Sequence, residues 1–258
     1  MNPIPWTYVR AELSREPLAA MGLGAGLFGA ISILGTIWAI PRLPEGVLTV
    51  LSLSLAVEGR PALVLVNTLL AVWFVAYFVG AVVVIRAIPA PRAENGLDIL
   101  LVKPVPPAVF VWSRILPALG LCVAVGLALS VTQVVGMVGL FDAQLSAAGA
   151  LGAGLTAVAV AVAQLGALTA LTVRTTELAG ALGLAIAVFM APLTPTSVFI
   201  YRPDLFPAEG VGRTLLVAPT NLIVHSQVIA WAWPLVMLAG LGLAALGLAW
   251  AARRVVEG

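Results

Sequence analysis

The sequence predicts an all-α integral membrane protein with six transmembrane helices, and three observations carry that prediction. Of 258 residues, 62% are hydrophobic and only 9% charged, against roughly 25% charged residues in an average soluble domain. The mean hydropathy is +1.12. Six charge-free windows, at 17 to 41, 61 to 85, 115 to 141, 143 to 173, 178 to 201 and 214 to 252, each exceed the roughly 20 residues that a helix needs to cross a bilayer. A β-barrel would need segments alternating apolar and polar, and runs such as ALGAGLTAVAVAVAQLGAL do not alternate. No repeat, linker or composition break divides residues 1–258, which read as one transmembrane domain.

Residues 4 to 16 place Trp6, Val9 and Leu13 at 3,4 spacing with Arg10, Glu12, Ser14 and Arg15 turned away, the pattern of a short interfacial helix. Pro17 then marks the corner into span 1. The first window is too long for the core of a cleavable signal, and two acids precede it beside two arginines, so this segment is expected to stay on the mature protein.

Between spans 1 and 2, Leu51, Leu53 and Leu55 alternate with Ser52 and Ser54, which suits a short strand or a surface-lying segment. Small residues fill spans 1 and 4 (Gly22, Gly24, Gly26, Gly29; Gly149, Gly152, Gly154), and small-xxx-small spacing lets membrane helices approach closely. Cys122, the only cysteine, lies in the third window, which excludes a disulfide framework or thiolate cluster within one chain and leaves packing as its role. Pro192 and Pro195 break the fifth window near its outer end, and Pro203 and Pro207 punctuate the stretch between that window and the sixth. Such backbone is tolerated at membrane depth only where protein or water covers it. Helical pieces dipping into the outer leaflet are therefore expected between spans 5 and 6, with Tyr201, Phe206, Trp231 and Trp233 near the interface.

Six spans put both termini on one side. With the N-terminus inside, the cytoplasmic side receives Arg10, Arg15, Arg86, Arg92, Lys103, Arg114, Arg174, Arg253 and Arg254, and the outer side Arg42, Arg60, Arg202 and Arg213. This nine-to-four asymmetry predicts a multi-pass protein of the cytoplasmic (inner) membrane with both termini cytoplasmic. The net charge of +2 reflects topology, and no basic cluster interleaved with aromatics points to nucleic acid.

The windows contain no Asp, Glu, Lys or Arg, the groups that intramembrane chemistry and ion coupling need. His225 is the only histidine, and one imidazole is no metal site. GLGAGLFG has no preceding strand and no GKS or GKT, so no phosphate loop is read there. No catalytic or metal site is predicted, and the energy for any transport must come from elsewhere.

The cytoplasmic loop between spans 2 and 3 reads ENGLDILLVKPVPP. Leu97, Leu100 and Leu101 fall at 3,4 spacing, giving a short helix with one apolar face, with Glu94, Asp98 and Lys103 elsewhere and Pro104 closing it. A short amphipathic helix of this kind suits docking into a groove of a soluble partner.

This segment resembles the corresponding loop of ABC-2 type transporter permeases, in which Glu and Gly-Thr-Leu-Glu precede a leucine run and Pro-Val. Here Leu97 and Asp98 stand at the Leu-Glu pair, Leu100 and Leu101 in the run, and Pro104 and Val105 at Pro-Val. Asn95 and Gly96 replace Gly-Thr, and Asp replaces Glu. The interfacial N-terminal helix, six spans and the proline-broken outer segment with APTN at 218 to 221 extend the resemblance over most of the chain.

The resemblance implies a coupling helix, Glu94, Leu97, Asp98, Leu100, Leu101, Lys103 and Pro104, seated in a separate ABC ATP-binding subunit that holds ATP and Mg. It also implies a second permease chain, identical or not, and export of a hydrophobic or amphipathic substrate. In that family spans 2 and 5 face the pathway, which makes Asn67, Trp73, Tyr77, Thr194 and Thr196 the candidate path residues. Gln133, Gln164, Thr169 and Thr172 are further polar residues within spans that either line a path or bond across helices. A self-contained secondary transporter or channel is the competing reading, and a membrane scaffold or intramembrane enzyme a third.

Overall fold

The computed structural model describes residues 16–55, 60–93, 107–141, 147–173, 175–194 and 233–256. Their regular structure is helical, with no strand among them. Helix α1 covers Glu16–Ala39 and tightens into a 3-10 turn at Ile40–Arg42; α2 covers Glu45–Leu55, α3 Arg60–Ala87 and α4 Pro89–Ala93. Helix α5 covers Pro107–Phe141, α6 Ala147–Thr172, α7 Leu178–Met190 and α8 Trp233–Val256.

Four stretches among the described residues are long and apolar enough to cross a membrane: Pro17–Arg42, Arg60–Pro91, Val111–Gly139 and Ala147–Thr172. Two further apolar stretches, Leu178–Met190 in α7 and Ala239–Ala251 in α8, are shorter. Four of the six expected spans thus correspond to such stretches among the described residues. In the fifth window α7 stops after Met190, just before Pro192, the first of the two prolines expected to break it. The interfacial helix at 4 to 16 and the outer segment from 195 to 232 lie outside the described residues, apart from Glu16 itself.

Local signals explain the helix starts. Pro17 stands second in α1, where a fixed φ is helical and a missing N–H leaves nothing unpaired. The Pro44 carbonyl accepts the N–H groups of Val47 (3.0 Å) and Leu48 (3.1 Å), and Glu45 in the first turn of α2 complements the helix dipole. The segment open between strand and surface element is therefore a helix, with Leu48 buried beneath it and Leu51 packed on the core. An ion pair from Arg60 to Glu45 ties the start of α3 to the start of α2.

Packing defines how the helices run. Gly22 of α1 lies against Leu121 of α5, Gly29 against Leu129, and Ile37 against Gly136. Both numbers rise together, so α1 and α5 are parallel. Gly80 of α3 faces Cys122 and Leu165, while Gly126 of α5 faces Ala76 and Val158. Helix α3 is therefore antiparallel to α5 and parallel to α6. Gly154 against Ser130 sets α6 antiparallel to α5.

Gly240 of α8 meets Ala159, Ala244 meets Gly166, and Gly247 meets Gly166 and Ala167, so α8 runs parallel to α6. Helices α3 and α6 are the centre of the bundle: 72% and 78% of their apolar windows are buried, against 22% for α1 and 44% for α5. Of the small residues in spans 1 and 4, Gly22, Gly29 and Gly154 sit at such contacts, whereas Gly24 and Gly26 face open space. Cys122 is buried and packs beside Gly80.

Most hydroxyls in the spans do not bridge helices. Thr68, Ser130, Thr156, Thr169 and Thr172 each donate to a carbonyl four residues earlier in their own helix, at 2.7–2.9 Å. This local bonding removes the cost of burying the hydroxyl without tying one helix to another.

Candidate functional site

A polar network that crosses between helices at the centre of the bundle starts from an aromatic stripe on α3. Trp73, Phe74, Tyr77 and Phe78 recur at one- and four-residue steps, which puts them on adjoining faces one turn apart. Phe189 of α7 enters this stripe, with ring centroids 5.0 Å from Trp73, 5.1 Å from Phe78, 5.5 Å from Tyr77 and 5.6 Å from Phe74. Offset and edge-on ring contacts in this range are favourable beyond the area they bury.

Hydrogen bonds fix the orientation. The Trp73 indole Nε1 donates to Gln164 Oε1 of α6 at 2.6 Å. The same amide donates through Nε2 to the carbonyls of Val188 (2.9 Å) and Phe189 (3.3 Å). The Tyr77 hydroxyl donates to the Ala185 carbonyl at 2.7 Å. Residue numbers on α3 and α7 run in opposite directions through these contacts, so α7 is antiparallel to α3. Trp73 and Tyr77 are both fully buried. A buried donor or acceptor left unpaired costs about 1–3 kcal/mol, and the single Gln164 side chain satisfies groups on two other helices at once.

The candidate path residues are distributed unevenly about this network. Trp73 and Tyr77 form its α3 side. Thr194 lies just beyond α7, exposed, with its hydroxyl donating to the Met190 carbonyl at 3.2 Å. Asn67 is half-buried six residues before Trp73 and donates from Nδ2 to the Leu63 carbonyl at 2.9 Å, within its own helix. Thr196 and the coupling set Glu94, Leu97, Asp98, Leu100, Leu101, Lys103 and Pro104 lie outside the described residues.

By sequence Gln164 is one polar residue among several, with nothing to set it above Gln133 or Thr169. A pattern that could single it out is indirect: Pro192 stands four residues after Val188 and cannot supply the helical N–H to that carbonyl, so a donor must come from elsewhere. Gln133 of α5 is the contrast, an amide fully buried with neither side-chain atom hydrogen-bonded.

A second feature lies where α3 ends. Arg86, Arg114, Pro17 and Pro117 border an open cavity of about 340 Å³, with Leu18, Val83 and Ala87 as its apolar wall. The start of α1, the end of α3 and the start of α5 therefore share one end of the bundle. Trp38 and Arg42 mark the opposite end, where the Arg42 guanidinium lies 4.7 Å over the Trp38 ring.

Among the described residues no three His, Cys, Asp or Glu side chains come together as metal ligands. The central network joins backbone carbonyls, an indole, a phenol and a carboxamide. Fold and site together define a helical protein whose apolar helices suit a membrane. No protein-family model matches the chain, and no curated protein matches it.

Proposed function

We propose that this chain is the membrane-spanning permease subunit of an ABC-2 type exporter, moving a hydrophobic or amphipathic substrate with ATP hydrolysed by a separate subunit. The observation that carries the reading is the segment ENGLDILLVKPVPP together with the helices on either side of it. The segment leaves α4 at Ala93 and enters α5 at Pro107. Helices α3 and α5 pack antiparallel along Gly80, Cys122, Gly126 and Ala76. A push on this segment would reach two packed helices directly, which is what a coupling helix requires.

Six spans accord with the helix directions. Helix α8 is parallel to α6, so the chain between Thr172 and Trp233 has to return across the bundle, and α7, antiparallel to α3, runs in the returning direction. The N-in orientation gains support from charge: Arg86, Arg114, Arg253 and Arg254 belong to the end where α3, α6 and α8 finish, while Arg42 and Arg60 belong to the other. Partners in this reading are an ATP-binding subunit and a second permease chain.

The test is purification from the native membrane in mild detergent, with and without Leu100→Asp and Leu101→Asp. An ATP-binding subunit that co-purifies with the parent and is lost from the double variant is the expected result. A partner-free chain in both forms overturns the reading.

A further inference from the structure

Helix α7 ends at an unusual depth. Phe189 stacks on Trp73, and Trp73 stands thirteen residues from Arg60 at one end of α3 and thirteen from Arg86 at the other. That places it about 20 Å from either end of the helix. In a bilayer, a helix that breaks at such a depth must find donors for its last carbonyls within the protein or from a water-filled cavity.

Those carbonyls draw on different donors. The Ala187 carbonyl accepts the Ala191 N–H at 2.9 Å. The Met190 carbonyl accepts the Thr194 hydroxyl at 3.2 Å. The Val188 carbonyl would take residue 192 in a continuous helix, and Pro192 has no N–H. Gln164 Nε2 reaches it from α6 instead, while Gln164 Oε1 holds Trp73 of α3.

We propose that Ala191–Pro192 is a hinge at the middle of the bundle and that the Gln164 amide is its latch. A side-chain bond stands where a backbone bond would otherwise run, so it can open without unwinding α7. The other contacts at the tip permit movement. Phe189 touches four rings of the α3 stripe and keeps aromatic contact as it slides along them. On the far side of α7, Leu182, Ile186 and Met190 are exposed, so no other described helix holds that face. Opening the latch frees the tip from α6 and releases Trp73 in the same step, so the state of the hinge is read by α3. The hinge stands on geometry alone and does not require the permease reading.

The experiment uses the full chain in nanodiscs with Cys122→Ala and spin labels at Val82 and Met190, plus a reference pair at Leu127 and Leu151. The parent should give a narrow 82–190 distance distribution. Gln164→Leu should widen it about twofold or more and leave 127–151 unchanged, as expected for a local opening. Adding Pro192→Ala restores a donor to the Val188 carbonyl and should return the parental width.

An unchanged width in Gln164→Leu, or a double variant that stays broad, overturns the proposal. Should Gln164→Leu fail to fold, Pro192→Ala alone decides: amide exchange of residues 187 to 191 should slow about tenfold or more, and unchanged exchange overturns the latch.

Discussion

Gly247 of α8 lies so close to Gly166 of α6 that a Cβ on Gly247 would stand 2.5 Å from the Gly166 carbonyl oxygen. The obstacle is backbone, which cannot turn aside as a side chain can. Gly240 repeats the relation two turns earlier, where a Cβ would stand 2.9 Å from the Ala159 carbonyl oxygen. Helices α6 and α8 therefore touch main chain to main chain, the approach that small residues allow between apolar helices.

Gly247→Leu should destabilise the protein by about 3 kcal/mol, the upper part of the range for overpacking. Gly242→Ala, whose Cβ would meet nothing within 4 Å, should be nearly neutral. Thermal unfolding of the two variants in detergent distinguishes a tight α6–α8 seam from a loose one, which would tolerate both.

Gln133 buries an amide with no hydrogen bond to either side-chain atom. Gln133→Met keeps the length and removes the unpaired groups, so it should stabilise the fold by about 1–2 kcal/mol. A loss of stability instead would mean that the amide holds a partner, such as a buried water.

Tyr77→Phe removes only the hydroxyl bond to Ala185 and keeps the ring against Phe189 and Phe78. Its cost should be about 0.6–1 kcal/mol, as for other bonds between membrane helices. Trp73→Ala empties a fully buried site and should cost about 3–5 kcal/mol. Comparable costs for the two would show that the indole is less confined than its contacts imply.

Side-specific labelling tests the orientation. In a Cys122→Ala background, single cysteines at Glu45 and Arg60 should react with an impermeant maleimide in intact cells. Cysteines at Arg86 and Arg254 should react only after permeabilisation. Labelling of all four from outside would contradict the inside placement of the arginine-rich end.

How much of the fold and the site was legible in the sequence varies with the physical signal. The helical class and spans 1 to 4 come from hydropathy and length, because a bilayer leaves a long apolar segment few alternatives to a helix. The region between spans 1 and 2 stayed ambiguous because three alternating leucines are too few to separate a strand from a helix, and α2 formed where Pro44 and Glu45 begin a turn. The break in the fifth window was legible from Pro192, before which α7 stops, because a proline cannot supply the helical N–H. The resemblance named Trp73 and Tyr77 among candidate path residues, and no local feature of the sequence shows that both are buried against α7.

The sequence by itself determined that this chain is helical and apolar, where its long helices run, and how charge is spaced along it. Those properties depend on short-range features: hydrophobicity, proline and charge along the chain. Only the tertiary structure decided that α8 lies parallel to α6, that Gly166 and Gly247 meet, and that Gln164 reaches both Trp73 and the Val188 carbonyl. Trp73 and Gln164 are 91 residues apart in the chain, and no local periodicity carries information over such a separation. Their pairing arises when the helices pack and each buried polar group must find a donor or acceptor.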